Sequence, residues 1–214
     1  MARPADGYRT KAGERVPGVT TISGKLKSAD ALMAWAWKEG KEGRDYKATR
    51  DRAADAGSLA HAAVEAWIRG RPYEMAGEPE VVKRAQTAVD AFHQWAAQTH
   101  LKIVEPEVTL VSELYRYGGT MDALLLDDRR AISDWKSSAA LYPDMLVQIA
   151  AYGHLWNEHH PEDPITGGFH LVRFDKEYGD FHHHYWGELD AAWETFVALR
   201  RVYELEHELR KRAK

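Results

Sequence analysis

The chain has 214 residues, enough to bury the core of one substantial domain, and its 44% hydrophobic and 29% charged content is that of an ordinary globular protein, not a disordered or fibrous one. It contains no cysteine, which excludes disulfides, thiolate catalysis and Cys-ligated zinc or iron–sulfur centres. A net charge of −4 excludes a polycation that coats nucleic acid nonspecifically, but leaves room for a local basic groove.

The opening Met1-Ala-Arg-Pro-Ala-Asp-Gly7 lacks the apolar run of a signal peptide, and no stretch approaches the ~20 apolar residues of a membrane span. A cytoplasmic protein with no membrane partner is the expectation. Val16-Pro-Gly-Val-Thr-Thr-Ile22 reads as a short extended lead-in, after which Ser28 can cap a helix carrying Leu32, Met33, Trp35 and Trp37 until Gly40 and Gly43 interrupt it. Residues 45–68 form an Ala-rich helical pattern that stops at Gly70-Arg71-Pro72. In residues 78–99 the apolar positions Val81, Val82, Ala85, Val89, Phe92 and Trp95 recur at helical spacing. Arg44, Lys47, Arg50 and Arg52 form one basic cluster and Arg69 with Arg71 a second, each readable as a solvated helix face.

The period then changes. Residues 102–114 are strand-like, and Thr120–Leu126 with Ala131–Trp135 flank the turn-forming Asp127-Asp128-Arg129-Arg130, so they read as a hairpin. A helix follows over 145–159, with Pro143 in its first turn and Pro161 and Pro164 beyond its end. Strands at 168–174 and 180–186 and a last helix over about 188–212 complete the order. One domain over 1–214 is expected: N-terminal helices over about 28–99, a sheet core over about 101–187 with an inserted helix at 143–159, and the C-terminal helix. The class is α/β with an α+β-like order, a mixed central β-sheet flanked by helices.

Both hairpin strands carry an acid where a plain core strand would not. Alternation puts Thr120, Asp122, Leu124 and Leu126 on one face, and Ile132, Asp134 and Lys136 on one face of the next strand, so the hairpin can gather two carboxylates and an ammonium. Crowded carboxylates repel, and a divalent cation is their natural counter-charge; hard oxygen donors favour Mg²⁺ or Mn²⁺. An acid two residues before a lysine means little alone, since Glu39-Gly-Lys41 and Asp45-Tyr-Lys47 match too, but those lie in helical or Gly-broken sequence. His182-His183-His184 alternates faces and offers only two histidines to one side, too few for a metal site.

Gly118-Gly-Thr-Met-Asp122, Asp134-Trp-Lys136 and Gln148-x-x-x-Tyr152, preceded by Gly57-Ser-Leu-Ala-His61, resemble the ordered core motifs of the PD-(D/E)XK nuclease superfamily, in particular its cluster-free, phage-type RecB-like exonuclease branch. The resemblance runs from about Val19 to Tyr152 and implies a restriction-endonuclease-like core. It implies His61, Asp122, Asp134 and the backbone carbonyl of Trp135 as metal ligands, Lys136 as the catalytic lysine, and Gln148 and Tyr152 as residues lining the site and contacting DNA. Glu65, one turn after His61, and Glu107, in a stretch that also reads as a charged strand edge, are candidates to support the ligands from behind. The implied cofactor is Mg²⁺ or Mn²⁺ without an iron–sulfur cluster, and the implied partner is linear DNA with ends. With no helicase motif, a separate recombination or helicase partner would supply unwinding. The activity implied is exonucleolytic phosphodiester hydrolysis in recombination, repair or phage DNA processing. A non-catalytic DNA-binding module and a site-specific endonuclease of the same fold stay open as alternatives.

Overall fold

The computed structural model describes residue 4 and residues 6–138 and 140–213, so the expectation about a leader rests partly on Met1–Arg3 and Ala5, outside the described residues. The chain begins with a small antiparallel ribbon, β1 (Tyr8–Arg9) and β2 (Arg15–Val16). A single helical turn, α1 (Val19–Ser23), comes next, where the sequence suggests an extended lead-in. Val19 and Ile22 are three apart, so a helical turn buries both, to 1% and 0% exposure, whereas a strand would send them to opposite faces.

After a 3-10 turn at Gly24–Leu26, α2 (Ala29–Lys41) starts where the Ser28 hydroxyl accepts the Ala31 N–H at 3.2 Å. Asp45 caps α3 (Tyr46–Ile68) by accepting the Lys47 N–H at 2.9 Å, and α4 (Pro79–Gln98) carries proline in its first turn.

The strands are β3 (Lys102–Ser112), β4 (Tyr117–Leu126), β5 (Arg130–Lys136), β6 (Phe169–Phe174) and β7 (Phe181–Trp186), in spatial order β3-β4-β5-β6-β7. All neighbours are antiparallel except β5 and β6, whose parallel pairing is bridged by α5 (Pro143–His159). The chain closes with α6 (Asp190–Arg212). Strand β3 stops two residues short of the expected end because residues 113–116 turn, with Arg116 in the left-handed region at φ 55°.

Each face of this mixed sheet is covered by helices, the architecture expected from the element order. On one face Phe92 and Trp95 of α4, with Ala60 and Val64 of α3, pack on Ala123, Trp135, Val172 and Phe174. On the other, Ile22 of α1, Ile149, Tyr152 and Leu155 of α5, and Phe196 of α6 pack on Tyr117, Leu124, Ile132 and Leu171. Full burial of each large side chain contributes about 1.5–3 kcal/mol, so the central strands β4, β5 and β6 are held from both sides. No helix among the described residues is long and apolar enough to cross a membrane.

Candidate active site

The regular ladder fails at one level of the sheet, and the acidic side chains gather there. Between β3 and β4 the register runs Pro106↔Ala123 and Val108↔Met121, skipping Glu107 and Asp122. Between β4 and β5 it stops at Ala123↔Ser133. Glu107 takes φ 57°, a left-handed conformation that costs a non-glycine residue free energy and is common where geometry serves a site. The break also upsets the simple alternation expected along β4: Tyr117 and Met121 share a core with Leu124, although they are separated by odd steps from it.

At this break the Asp122 carboxylate replaces the missing backbone partner, its Oδ2 accepting the Trp135 N–H at 2.6 Å. Its Oδ1 lies 3.5 Å from Nδ1 of His61 on α3. That helix comes close because its inward residues Ala56, Gly57 and Ala60 are small. A Cβ on Gly57 would stand 3.1 Å from Ser137 Oγ, at the end of β5. One donor atom from each of His61, Glu107 and Asp122 lies within 4.8 Å of those of the other two. Each of these residues also carries a buried polar atom without a hydrogen-bond partner: His61 Nδ1, Glu107 Oε2 and Asp122 Oδ1.

A second network adjoins the first. Asp134, 0% exposed like Asp122, forms an ion pair through Oδ2 with Lys136. The Lys136 Nζ also donates to Gln148 Oε1 at 3.1 Å. Gln148 Nε2 donates to Asp134 Oδ1 at 3.3 Å and to the Tyr152 hydroxyl at 3.0 Å, using the one-turn spacing of these two residues on α5. Gly119 makes room for that tyrosine: a Cβ there would lie 2.5 Å from Tyr152 Cε1.

Electrostatics separate the carboxyls. Burial raises the Asp134 pKa to about 7, with the Asp122 charge adding to the rise and Lys136 opposing it. Burial acts on Asp122 too, but His61, Lys136 and the Trp135 N–H together hold it below the usual carboxylate range. Glu107 is raised, first by burial and then by the Asp122 charge. Burial also pushes the Tyr152 phenol well up, so it remains a neutral hydroxyl. The two buried carboxyls thus differ in environment: desolvation dominates at Asp134, and the partners around Asp122 outweigh it there.

The residues singled out in the sequence therefore divide. His61, Asp122, Asp134, Lys136, Gln148 and Tyr152 lie in one connected cluster, and Trp135, 3% exposed, contributes its N–H to Asp122. Glu65 instead accepts from Arg69 at 2.8 Å one turn further along α3. Glu107 lies half-buried on β3, an edge strand of the sheet, and its carboxyl is turned in beside His61 and Asp122. No motif marks Tyr8, yet its hydroxyl hydrogen-bonds Thr120 Oγ1 at 3.2 Å and its ring fills the space a side chain at Gly118 would need. The paired glycines were its only trace in the sequence. A cavity of about 160 Å³ lies between Tyr8, Val19, Thr20, Thr120 and Tyr152, bordering the cluster at Tyr152. A larger cleft of about 820 Å³ lies between the N-terminal ribbon and α6 and includes none of the clustered acids, so cleft size does not mark the chemistry.

The donor set fits a hard divalent cation: two carboxylates and one imidazole, partly unsatisfied and sheltered from water, while sulfur donors are absent from the chain.

No family model matches the chain, and no curated protein matches it in sequence. Among solved structures, it is similar to a Eubacterium rectale protein provisionally described as an exonuclease, at 13% identity and a TM-score of 0.49 over 72% of this chain and 68% of that one. It is also similar to the alkaline exonuclease LHK-Exo of Laribacter hongkongensis, at 15% identity and a TM-score of 0.37 over 76% of this chain and 91% of that one. A further structure of LHK-Exo, in complex with dAMP, matches at the same identity and TM-score.

Proposed function

We propose that this chain is a divalent-metal-dependent deoxyribonuclease of the PD-(D/E)XK superfamily, RecB-like branch, which hydrolyses phosphodiester bonds from the ends of linear DNA in recombination, repair or phage DNA processing. The observation that carries the reading is the meeting of the His61, Glu107 and Asp122 donor atoms within 4.8 Å of one another, next to the Asp134–Lys136–Gln148 network. Binding to DNA alone gives no reason to bury acids beside one another at the cost of their hydration.

His61, Glu107 and Asp122 would hold a Mg²⁺ or Mn²⁺ ion, with Asp134 and the Trp135 carbonyl as the further donors the motif resemblance implies. Such an ion supplies polarisation of a phosphoryl oxygen and a more acidic water. The chain's own residues do the rest. Asp134 and Gln148 hold Lys136 Nζ from two sides, which fixes its positive charge near the site where negative charge develops on phosphorus. Gln148 orients the Tyr152 hydroxyl, a neutral donor suited to a phosphate oxygen. Glycines at 57 and 119 let α3 and α5 approach closely enough to exclude bulk water, which strengthens every one of these interactions.

The test compares linear and covalently closed circular DNA in Mg²⁺, in Mn²⁺ and in chelator. Degradation of the linear form alone, with either cation and not with chelator, is expected. Cleavage insensitive to chelator, or binding of both forms without cleavage of either, overturns the proposal.

A further inference from the structure

Helix α2 is exposed on nearly every side although it is rich in apolar residues: Leu32 is 56%, Met33 61% and Trp37 66% exposed. Its two sides differ. Trp35 and Glu39, one turn apart, face inward, Trp35 edge-on to Tyr46 and Glu39 paired with Arg44. Met33, Trp37 and Lys41 recur at four-residue spacing on the opposite side, with Lys41 Nζ lying 4.4 Å from the centre of the Trp37 ring. Such a stripe is not a core face in this fold.

The helix belongs to a strap that joins both walls of the proposed active site. At one end the 3-10 turn packs on α5, and Lys27 Nζ lies 3.8 Å from Asp144 Oδ2, one turn before Gln148. At the other end the strap runs into α3, which carries Gly57 against Ser137 and His61 against Asp122. Between Gly24 and Arg52 the sequence holds eight basic and five acidic side chains, within a chain whose net charge is −4. Of the acids, Glu39 is bound by Arg44 and Asp45 caps α3, while Lys38 and Lys41 face solvent. The reacting groups lie deep, Asp122 and Asp134 at 0% exposure and the Lys136 side chain at 12%.

We infer that the outer stripe of α2 is a landing surface for unpaired bases, so that the site takes its substrate as single-stranded DNA. This inference rests on the nuclease reading above and names its substrate class. An exposed aromatic ring with the Lys41 ammonium against it and Met33 one turn back on the same side, carried on a strap of net positive charge, is the chemistry of a stacking platform with backbone charge neutralisation, which accepts any base by its π-face. A duplex keeps its bases stacked on one another and offers that platform only phosphate.

The experiment measures binding of a fluorescein-labelled oligo-dT and of a blunt duplex of two annealed strands in chelator, so that affinity is read without cleavage. The wild-type chain is expected to bind the single strand more tightly. Trp37→Ala should weaken that binding about 5- to 150-fold, the range of one lost base–aromatic stack, and Trp37→Phe should keep most of it. The thermal midpoint should be unchanged, because the side chain supports no core. Unchanged single-strand affinity in Trp37→Ala, as expected if α2 docks a protein instead, overturns the inference, and so does equal or tighter wild-type binding of the duplex. A Trp37-dependent affinity in a chain that never cleaves DNA with Mg²⁺ or Mn²⁺ would leave the strap standing and sink the nuclease reading; cleavage unaffected by Trp37→Ala would do the reverse.

Discussion

Asp122 and Trp135 are joined by a hydrogen bond from the Trp135 backbone N–H to Asp122 Oδ2, 2.6 Å long, at the level where the β4–β5 ladder has ended. A side-chain carboxylate thus does the work of a backbone carbonyl, and β4 is free to diverge. The divergence leaves the other carboxylate oxygen facing His61, and it ties the position of the acid to the integrity of β5.

The first prediction follows from Lys136, whose charge is held by Asp134 and Gln148. Lys136→Ala should lower the cleavage rate at least about 10²–10³-fold, the usual effect of removing one donor aimed at developing charge. Binding of DNA should change little, because only one positive charge is lost. Single-turnover cleavage and a chelator binding assay check the two halves separately; wild-type turnover by the variant would remove Lys136 from the chemistry.

Glu107→Gln gives a test that needs no DNA. Wild-type Glu107 and Asp122 repel in a buried setting, which a neutral amide relieves. Without cation, the variant should melt at or above the wild-type temperature. With Mn²⁺ the order should reverse, because losing one ligand weakens binding by at least about tenfold. A tenfold weaker Kd removes about 1.4 kcal/mol of ligand-linked stability, roughly 3–6 °C for a chain of this size. Differential scanning calorimetry with and without Mn²⁺ measures both shifts, and an equal Mn²⁺ response in both proteins would take Glu107 out of the site.

Much of this arrangement was visible in the sequence, for reasons that are local. The hairpin strands, the one-turn spacing of Gln148 and Tyr152, and the stop at Gly70 depend on residue type and period, which neighbours along the chain decide. Glu107 was not visible in the same way, because its place depends on a left-handed φ and on a ladder skip that exist only once β3 and β4 pair. The segment Val19–Ser23 reads as extended in the sequence but folds as a helical turn for a related reason: five residues are too few to display a period, and packing of Ile22 against α5 and α6 decides their conformation. In α2 the helix itself was legible from Ser28 and the run of helix formers, but nothing local shows that the fold leaves Leu32, Met33 and Trp37 exposed, since that depends on what packs beside the helix.

Gly119→Ala probes the contact between β4 and α5. The added Cβ would meet Tyr152 Cε1 at 2.5 Å and Val19 Cγ2 at 3.0 Å, and both neighbours are packed in the core. Overpacking of this kind costs about 1–3 kcal/mol, or several degrees in thermal midpoint. Because Tyr152 is tied to Gln148, the displacement should also lower the cleavage rate at temperatures where the variant is fully folded. Activity intact despite the lost stability would show that the tyrosine's position matters for packing alone.

The final prediction concerns acid, and lies away from the acidic cluster. His170 on β6 is buried at 6% exposure, and its Nδ1 lies 2.9 Å from His183 Nε2 on β7. Trp95 Nε1 donates to His183 Nδ1 at 3.2 Å, so the neutral His183 carries its proton on Nε2 and donates it to His170. Burial, then the neighbouring His183, lowers the His170 pKa from 6.5 to about 4. Above pH ~6.5 the ring is neutral in both folded and unfolded chains and contributes no pH dependence. As pH falls from there toward 4, the unfolded chain takes up a proton that the folded chain refuses, so stability falls with it; below about 4 both forms are charged and this contribution levels off. The thermal midpoint should therefore decline across that window, and in His170→Gln the decline should be shallower, since an amide can still accept from His183 but does not titrate. Melting curves at half-unit steps from pH 7.5 to 4 measure the slope, and an equal slope in the two proteins would place the acid sensitivity elsewhere.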